Sequence, residues 1–244
     1  VFALVTGSGF YDIPELVDRA VESVPNPFGD PVTVTTGRWR GADVCFVPRH
    51  GSDHSIPPHG INYRANISAL ATIGATSIVA TAVSGAINPD MAPGSLVVIS
   101  DFLNFTSGRD TTFFDGSRRP IVAGDPGAES EPAAELEQVR LLDGAVYCTT
   151  DGPRFETPAE INMMRVLGGD LVGMTGYPEV ALAVEAGLPY ASIGVVSNPA
   201  AGMNAEPLSI DDIVAIIDTT AEPLYRLIGR TIELQAAAAE NGAQ

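Results

Sequence analysis

Short apolar segments rich in β-branched residues recur along the chain and alternate with longer amphipathic stretches. The apolar segments predict strands at residues 1–6, 32–36, 43–48, 77–83, 95–100, 145–149, 170–174 and 190–197. The amphipathic stretches predict helices at residues 60–74, 157–168, 178–187 and 209–235. Strands that alternate with helices are typical of a layered α/β fold with a mainly parallel sheet.

The last predicted helix has the clearest start. Ser209 stands at the N-cap position, and Asp211 and Asp212 follow in the first turn, where acidic side chains favour a helix. Apolar residues then repeat at the helical spacing, at Ile210, Ile213, Ile216 and Ile217. This spacing predicts one apolar helix face.

The chain has the length of one domain, and we expect residues 1–244 to fold as a single unit. Residues 116–136 are rich in Gly, Pro and Glu and are expected to form a surface excursion within that domain. The alanine-rich tail after about residue 235 is expected to fray.

Charge and cysteine content narrow the function classes. The formal net charge of −17 disfavours nucleic acid and membrane surfaces, which are bound by clustered Lys and Arg. The chain contains no lysine, which excludes Schiff-base catalysis and the lysine of a triphosphate-binding loop. No apolar run approaches the roughly 20 residues that span a bilayer. Cys45 and Cys148 lie in apolar segments, which favours reduced thiols and a cytoplasmic location.

The first strand runs directly into a glycine turn, VTGSGFYD, at residues 5–12. A dinucleotide fingerprint needs a third glycine where Asp12 stands, and a triphosphate loop needs a lysine. The backbone amides and the Ser8 hydroxyl remain suited to one or two phosphate oxygens. From this segment alone, a tight turn without a ligand is an equal alternative.

All three histidines, His50, His54 and His59, lie within ten residues in the segment PRHGSDHSIPPH. With Asp53 they are candidate zinc ligands, so a metal-dependent hydrolase is the alternative function from a different class. Glycine and proline break the helix that would align these side chains. Arg49 would repel a dication, whereas Arg49 beside His50 favours an oxyanion.

Four further segments place polar or aromatic groups after predicted strands. They are TAVSGAINPD (81–90), DGPRFETPAE (151–160), VGMTGYPEV (172–180) and VVSNPAAG (195–202). Strands of an open α/β sheet bind ligands in a crevice at their carboxyl ends, so these segments are expected to meet in one site. Phe155 is the type of side chain that stacks on a flat ring, with a place in the core as the alternative.

The chain resembles the trimeric purine nucleoside phosphorylase and methylthioadenosine phosphorylase family from residue 1 to about residue 230. The segments that carry the resemblance are GSGFYD, PRHG with INYRANISALATIGA, TAVSGAI, GPRFET, VGMTGYPE and SNPAAG. The resemblance implies a twisted, mixed central sheet flanked by helices, a homotrimer, and no metal or organic cofactor. Residues 116–144 depart from the family pattern.

The resemblance also implies phosphorolysis, in which phosphate attacks the anomeric carbon of a purine nucleoside and releases the base and a ribose 1-phosphate. The transition state resembles an oxocarbenium ion, so catalysis is mainly positioning and charge stabilisation. Positions that match the family's phosphate site are Ser8, Arg49, His50, the backbone of Ala82 and Val83, and Thr175. Positions expected to bind the nucleoside are Phe155, Glu156, Met174, Asn198, Ala200, Ile210 and Ile213.

The nucleoside positions favour a 6-oxopurine. Adenine-specific relatives have paired aspartates where this chain has Asn198 and Ala200, and they lack an acid at the position of Glu156. Glu156 is suited to accept from the N1–H of a 6-oxopurine, while the Asn198 amide serves O6 and N7. Glu156 and Asn198 are therefore the expected catalytic residues, and a helix-start acid is the alternative interpretation of Glu156.

The other end of the nucleoside is expected to be apolar. Relatives that accept ordinary nucleosides place a histidine near the ribose 5′-hydroxyl, at the position of Ile210, with Ile213 one turn later. Isoleucine buries a methylthio group favourably and leaves a 5′-hydroxyl unpaired. The expected substrate is S-methyl-5′-thioinosine, as in the methylthioinosine phosphorylases. Inosine, guanosine and methylthioadenosine are alternatives, as is a nucleoside-binding module without turnover.

Overall fold

The computed structural model describes residues 1–114, 139–204 and 209–242. Its strands are β1 (Phe2–Thr6), β2 (Val17–Asn26), β3 (Gly29–Trp39), β4 (Ala42–Pro48), β5 (Ser77–Ala86), β6 (Leu96–Asn104), β7 (Leu141–Thr149), β8 (Leu171–Gly173) and β9 (Tyr190–Pro199). Its α-helices are α1 (Tyr63–Ile73), α2 (Pro158–Val166), α3 (Gly176–Glu185) and α4 (Ile210–Gly242), and a 3-10 turn spans Pro58–Gly60. The surface excursion predicted at 116–136 lies outside the described residues.

The strands form one mixed sheet in the order β2-β3-β4-β1-β5-β8-β7-β6-β9. Strand β9 pairs in parallel with β5 and antiparallel with β6, so the last five strands of this order close into a ring. The α/β class and the mixed sheet with flanking helices are confirmed. Alternation alone predicts a mainly parallel sheet, and five of the nine pairings between described strands are parallel. The four antiparallel pairings are those of the β2-β3-β4 meander, β5 with β8, and β6 with β9.

The sequence pattern misses strand β2. Its sequence, VDRAVESVPN, is exposed at all but two positions, so it has no buried face to impose an alternation of apolar and polar residues. Among the described strands it is an edge strand whose one partner is β3, and the charged residues Asp18, Arg19 and Glu22 are spread along it. Charged side chains along an exposed edge oppose pairing with another chain.

The helices begin close to their predicted positions. Helix α1 starts at Tyr63 rather than at residue 60, because Asn62 caps it by accepting from the backbone N–H of Ala65. Helix α2 starts with a capping box between Thr157 and Glu160. Helix α4 continues to Gly242 through the alanine-rich segment, and the fraying expected after about residue 235 stays a prediction. None of the described helices is long and apolar enough to cross a membrane.

A hydrophobic core packs against each face of the sheet, and the side chains of β1 contribute to both cores. Its residues Ala3 and Val5 pack in a cluster with α1 and α3, whereas Leu4 packs in a second cluster with α4. Both cysteines are buried free thiols. Because β1 lies in parallel between β4 and β5, its carboxyl end meets theirs at one edge, which positions the glycine turn.

Candidate active site

A cavity of about 1130 Å³ opens at the carboxyl ends of β1, β4, β5, β8 and β9. Its wall is made by the residues after these strands, by the loop before α2 and by the start of α4. The predicted site residues that line it are Ser8, His50, Val83, Phe155, Glu156, Met174, Thr175, Asn198, Ala200 and Ile213. Segments far apart in the sequence therefore meet in one site.

Ala82 and Ile210 are not among the residues that line the cavity, which corrects the placement predicted for the Ile210 side chain. The prediction for Ala82 concerns its backbone beside Val83, and it stays a prediction; the Ala82 side chain is buried in a core cluster. Ile210 is 70% exposed, and exposure falls along the same helix face through half-buried Ile213 to buried Ile217. Helix α4 meets the sheet only after its first turn, so the apolar lining comes from Ile213, Ile216 and Ile217, beside Ser209 and Asp212.

The glycine turn after β1 is packed tightly against α4. The Phe10 N–H donates to the Gly7 carbonyl at 3.3 Å, and the Gly7 N–H donates to the Thr81 hydroxyl at 3.4 Å. Gly9 has a φ of +83°, and a Cβ there would lie 2.2 Å from Cγ2 of Ile217. Glycine is therefore required at this position by both conformation and space.

Arg49 lies behind the cavity wall, with its side chain 1% exposed. Its Nε and Nη2 donate to the two carboxylate oxygens of Glu179, at 2.9 and 2.6 Å. Nη1 donates to the Thr81 carbonyl at 2.7 Å and Nη2 to the Val5 carbonyl at 3.3 Å. The guanidinium links β1, β5 and α3 beneath the site. The sequence predicted that Arg49 would face the phosphate, but Arg49 is not among the residues that line the cavity. Burial alone would lower the pKa of Arg49, but the Glu179 carboxylate raises it above its usual value.

His50 lines the cavity as a neutral imidazole at neutral pH. Burial lowers the pKa of His50 to about 4, against the opposing effect of its hydrogen bond to the Ile56 carbonyl. Nδ1 lies 2.8 Å from that carbonyl oxygen, which only accepts, so Nδ1 carries the proton. Nε2 is then an acceptor, suited to the O–H of a hydrogenphosphate ion.

The histidines do not assemble into a metal centre. The exposed His54 ring lies 5.0 Å, centroid to centroid, from that of His50, and its Nδ1 contacts the Tyr11 hydroxyl. His59 is exposed in the 3-10 turn, outside the cavity lining. Within the described ranges, no three His, Cys, Asp or Glu side chains are grouped to hold a metal ion. The geometry therefore gives no support to the hydrolase alternative.

The loop between β7 and α2 brings Phe155 and Glu156 to the cavity. Phe155 is 55% exposed, which rules out a place in the core and leaves its ring accessible to a flat base. Glu156 is half-buried, and its Oε1 accepts from the Thr150 hydroxyl at 2.6 Å. Thr157 and Glu160 cap helix α2, so a role as helix-start acid does not explain Glu156.

Asn198 lies at the end of β9 and is 9% exposed. Its Oδ1 accepts from the Ser197 hydroxyl at 2.7 Å, and its Nδ2 donates to the Pro199 carbonyl at 2.7 Å. A Cβ on Gly85 would lie 3.2 Å from Nδ2, so glycine on β5 leaves room for the amide. Since a primary amide has two N–H donors, one remains for a ligand.

Sequence reasoning missed four residues of this region: Thr150, Glu179, Ser197 and Asp212. Thr150 directly precedes the DGPRFET segment, and Glu179 is the acid of VGMTGYPE, so their positions beside motifs were the available signals. The sequence could not predict their hydrogen-bond partners, because residues such as Glu179 and Arg49 are 130 positions apart in the chain.

Known proteins are similar to this chain in sequence and in fold. A sequence model of the Phosphorylase superfamily matches residues 1–233. A probable 6-oxopurine nucleoside phosphorylase of Moorella thermoacetica is 44% identical over 239 residues, covering 94% of this chain and 91% of the relative. A probable S-methyl-5′-thioinosine phosphorylase of Methanothermobacter thermautotrophicus is 39% identical, covering 95% and 83%. A methylthioadenosine phosphorylase structure from Schistosoma mansoni, in complex with adenine, has a TM-score of 0.90 at 30% identity, covering 97% and 91%.

Proposed function

The chain belongs to the Phosphorylase superfamily, and we propose that it binds phosphate and a 6-oxopurine nucleoside in the cavity described above. The reaction is purine nucleoside phosphorolysis, so the chain is a pentosyltransferase of purine salvage. Phosphate forms a bond to the anomeric carbon as the glycosidic bond breaks. The products are the free base and a ribose 1-phosphate.

The observation that carries the choice of base is that Glu156 and Asn198 line the same cavity. A 6-oxopurine presents a donor at N1, which a Glu156 carboxylate oxygen accepts, and an acceptor at O6, which the remaining Asn198 N–H serves. A 6-aminopurine presents an acceptor at N1 that would face the carboxylate without a proton between them. Buried polar groups left unpaired in this way discriminate by factors of about 10⁴.

The proposed phosphate site lies at the other polar part of the lining, made by Ser8, His50, Thr175 and the backbone at Val83. The hydroxyls of Ser8 and Thr175 and the turn amides donate to phosphate oxygens, while Nε2 of His50 accepts the phosphate proton. Catalysis then rests on positioning the nucleophile and on stabilising negative charge on the departing base at Asn198.

At the 5′ end, Ile213 with Ile216 and Ile217 supports a methylthio substituent over a hydroxyl, because these side chains offer no hydrogen bond. S-methyl-5′-thioinosine is the proposed preferred substrate, ahead of inosine and guanosine. We further propose that the enzyme needs no metal or organic cofactor and works as a homotrimer. The buried free thiols Cys45 and Cys148 support a cytoplasmic location.

The test compares kcat/KM for methylthioinosine, inosine and methylthioadenosine in one phosphate buffer. Methylthioinosine should be the best substrate and methylthioadenosine the worst, and base release should require phosphate and survive a chelator. Equal turnover of methylthioadenosine and methylthioinosine would contradict the assignment of the base. Base release without phosphate, or its loss with a chelator, would contradict the proposed chemistry.

A further inference from the structure

Thr150 makes the one side-chain contact that orients Glu156 among the described residues. Its hydroxyl lies 2.6 Å from Oε1 of Glu156, a distance typical of a hydrogen bond to an ionised carboxylate. Its alternative acceptor, the Gly173 carbonyl, is 3.4 Å away and is already paired with the Thr150 N–H at 2.9 Å. The single hydroxyl proton therefore belongs to Glu156.

The backbone of Thr150 is held firmly, whereas Glu156 stands on a loop. Besides the bond to Gly173 on β8, the Thr150 carbonyl accepts from Nη2 of Arg109 at 3.1 Å. Arg109 is in turn fixed by the Tyr177 carbonyl at 2.7 Å, at the start of α3. The hydrogen bond from Thr150 thus restricts the Glu156 side chain, which would otherwise sample many rotamers.

We propose that Thr150 is a positioning residue that selects for 6-oxopurines. This inference rests on the proposed function, since it assigns Oε1 of Glu156 to Thr150 and Oε2 to the N1–H of the base. The hydrogen bond from the Thr150 hydroxyl fixes Oε1 and so leaves Oε2 as the acceptor that faces N1–H, where the bare N1 of a 6-aminopurine would find no donor. Because Thr150 orients Glu156 before the substrate binds, the entropy lost in ordering the Glu156 side chain does not reduce the affinity for the substrate.

The experiment measures kcat/KM for methylthioinosine and methylthioadenosine in wild-type protein, Thr150→Val, Thr150→Ala and Thr150→Ser. We expect Val and Ala to lower kcat/KM for methylthioinosine by about 10- to 100-fold, the usual worth of a hydrogen bond to a charged group, without a matching loss for methylthioadenosine. Ser keeps the hydroxyl and should restore the wild-type ratio of the two substrates. The KM for phosphate should not change.

Thr149→Val is the matched control, because Thr149 is the preceding residue and its buried hydroxyl has no hydrogen-bond partner in the described structure. It should leave the substrate ratio unchanged. In a Glu156→Ala background, which removes the acceptor of the Thr150 hydroxyl, Thr150→Ala should have no further effect on the ratio, since the two residues act as one unit.

Three results would overturn the inference: an unchanged ratio in both Thr150→Val and Thr150→Ala, no rescue by Thr150→Ser, or an equal change in Thr149→Val. These are distinct from failure of the proposed function, which would appear in the wild-type protein as a missing preference for the 6-oxopurine nucleoside. Thermal unfolding of each variant separates loss of fold from loss of selectivity. If Thr150→Val disturbs the packing, Thr150→Ala tests the same loss of the hydroxyl with a smaller side chain.

Discussion

Arg49 and Glu179 form a bidentate ion pair, and both side chains are only 1% exposed. The same Glu179 carboxylate also accepts from the Tyr190 hydroxyl at 2.9 Å. Guanidinium, carboxylate and phenol therefore form one buried network beneath the site. Such a network stabilises the fold only while all its members are paired.

We expect Glu179→Ala to lower the free energy of unfolding by about 3–5 kcal/mol, because it leaves the Arg49 charge buried without its partner. Urea denaturation measures this change. The matched control is Glu222→Ala, which breaks an exposed pair with Arg226 on α4 and should cost below about 0.5 kcal/mol. Similar losses in the two variants would show that the buried pair has no special weight.

Stability should fall in mildly acidic solution through His50. Its folded pKa is lowered from 6.5 to about 4, so as the pH falls the unfolded chain takes up this proton first. The contribution of the neutral ring is complete above about pH 6.5 and is lost as the pH falls toward 4, by about 2 kcal/mol at pH 5.

His50→Gln should remove this part of the pH dependence in denaturation curves recorded between pH 7.5 and 5. His59→Gln replaces an exposed histidine outside the cavity lining and should retain the wild-type slope. If His50→Gln keeps the full slope, the acid sensitivity arises elsewhere.

Ile213→His should move the substrate preference from methylthioinosine toward inosine by about 10-fold, because an imidazole supplies the hydrogen bond that a 5′-hydroxyl lacks against isoleucine. The ratio of the two kcat/KM values measures the shift. Ile210→His is the control, since Ile210 lies outside the cavity and should leave the ratio as it is. A shift in Ile210→His alone would restore the placement predicted from the sequence.

Gly9→Ala should be more destabilising than Gly41→Ala, although both glycines have φ near +85°. At Gly41 an added Cβ meets nothing within 4 Å, so the cost is the backbone conformation, about 1–2 kcal/mol. At Gly9 the clash with Ile217 adds about 1–3 kcal/mol of overpacking.

Thermal or urea unfolding of the two glycine variants measures the difference. Ile217→Ala should recover part of the loss in the Gly9→Ala background, because it removes the clashing methyl group. Equal destabilisation at the two glycines would mean that the turn can move away from α4.

The sequence by itself determined the α/β class and the family, and it predicted ten of the residues that line the cavity. Thr175 reaches the cavity from β8, which runs antiparallel to β5, so strand direction does not explain its position. Ser8 and Asn198 lie at the ends of apolar runs that become β1 and β9, and both strands run parallel to β5, so their carboxyl ends meet at one edge of the sheet. Their convergence follows from chain order and strand direction, which are local properties of the sequence. Strand β2 was missed because an exposed edge strand has no buried face, so its sequence need not alternate between apolar and polar residues.

Only the tertiary structure decided what each polar group does. Arg49 is next to His50 in sequence, yet a carboxylate 130 residues away turns its guanidinium into the core while the imidazole stays in the cavity wall. Ile210 and Ile213 share a helix face, but α4 packs against the sheet only after its first turn, so Ile213 is half-buried and Ile210 is exposed. Side-chain direction depends on contacts between distant segments, and such contacts exist only once the sheet has formed.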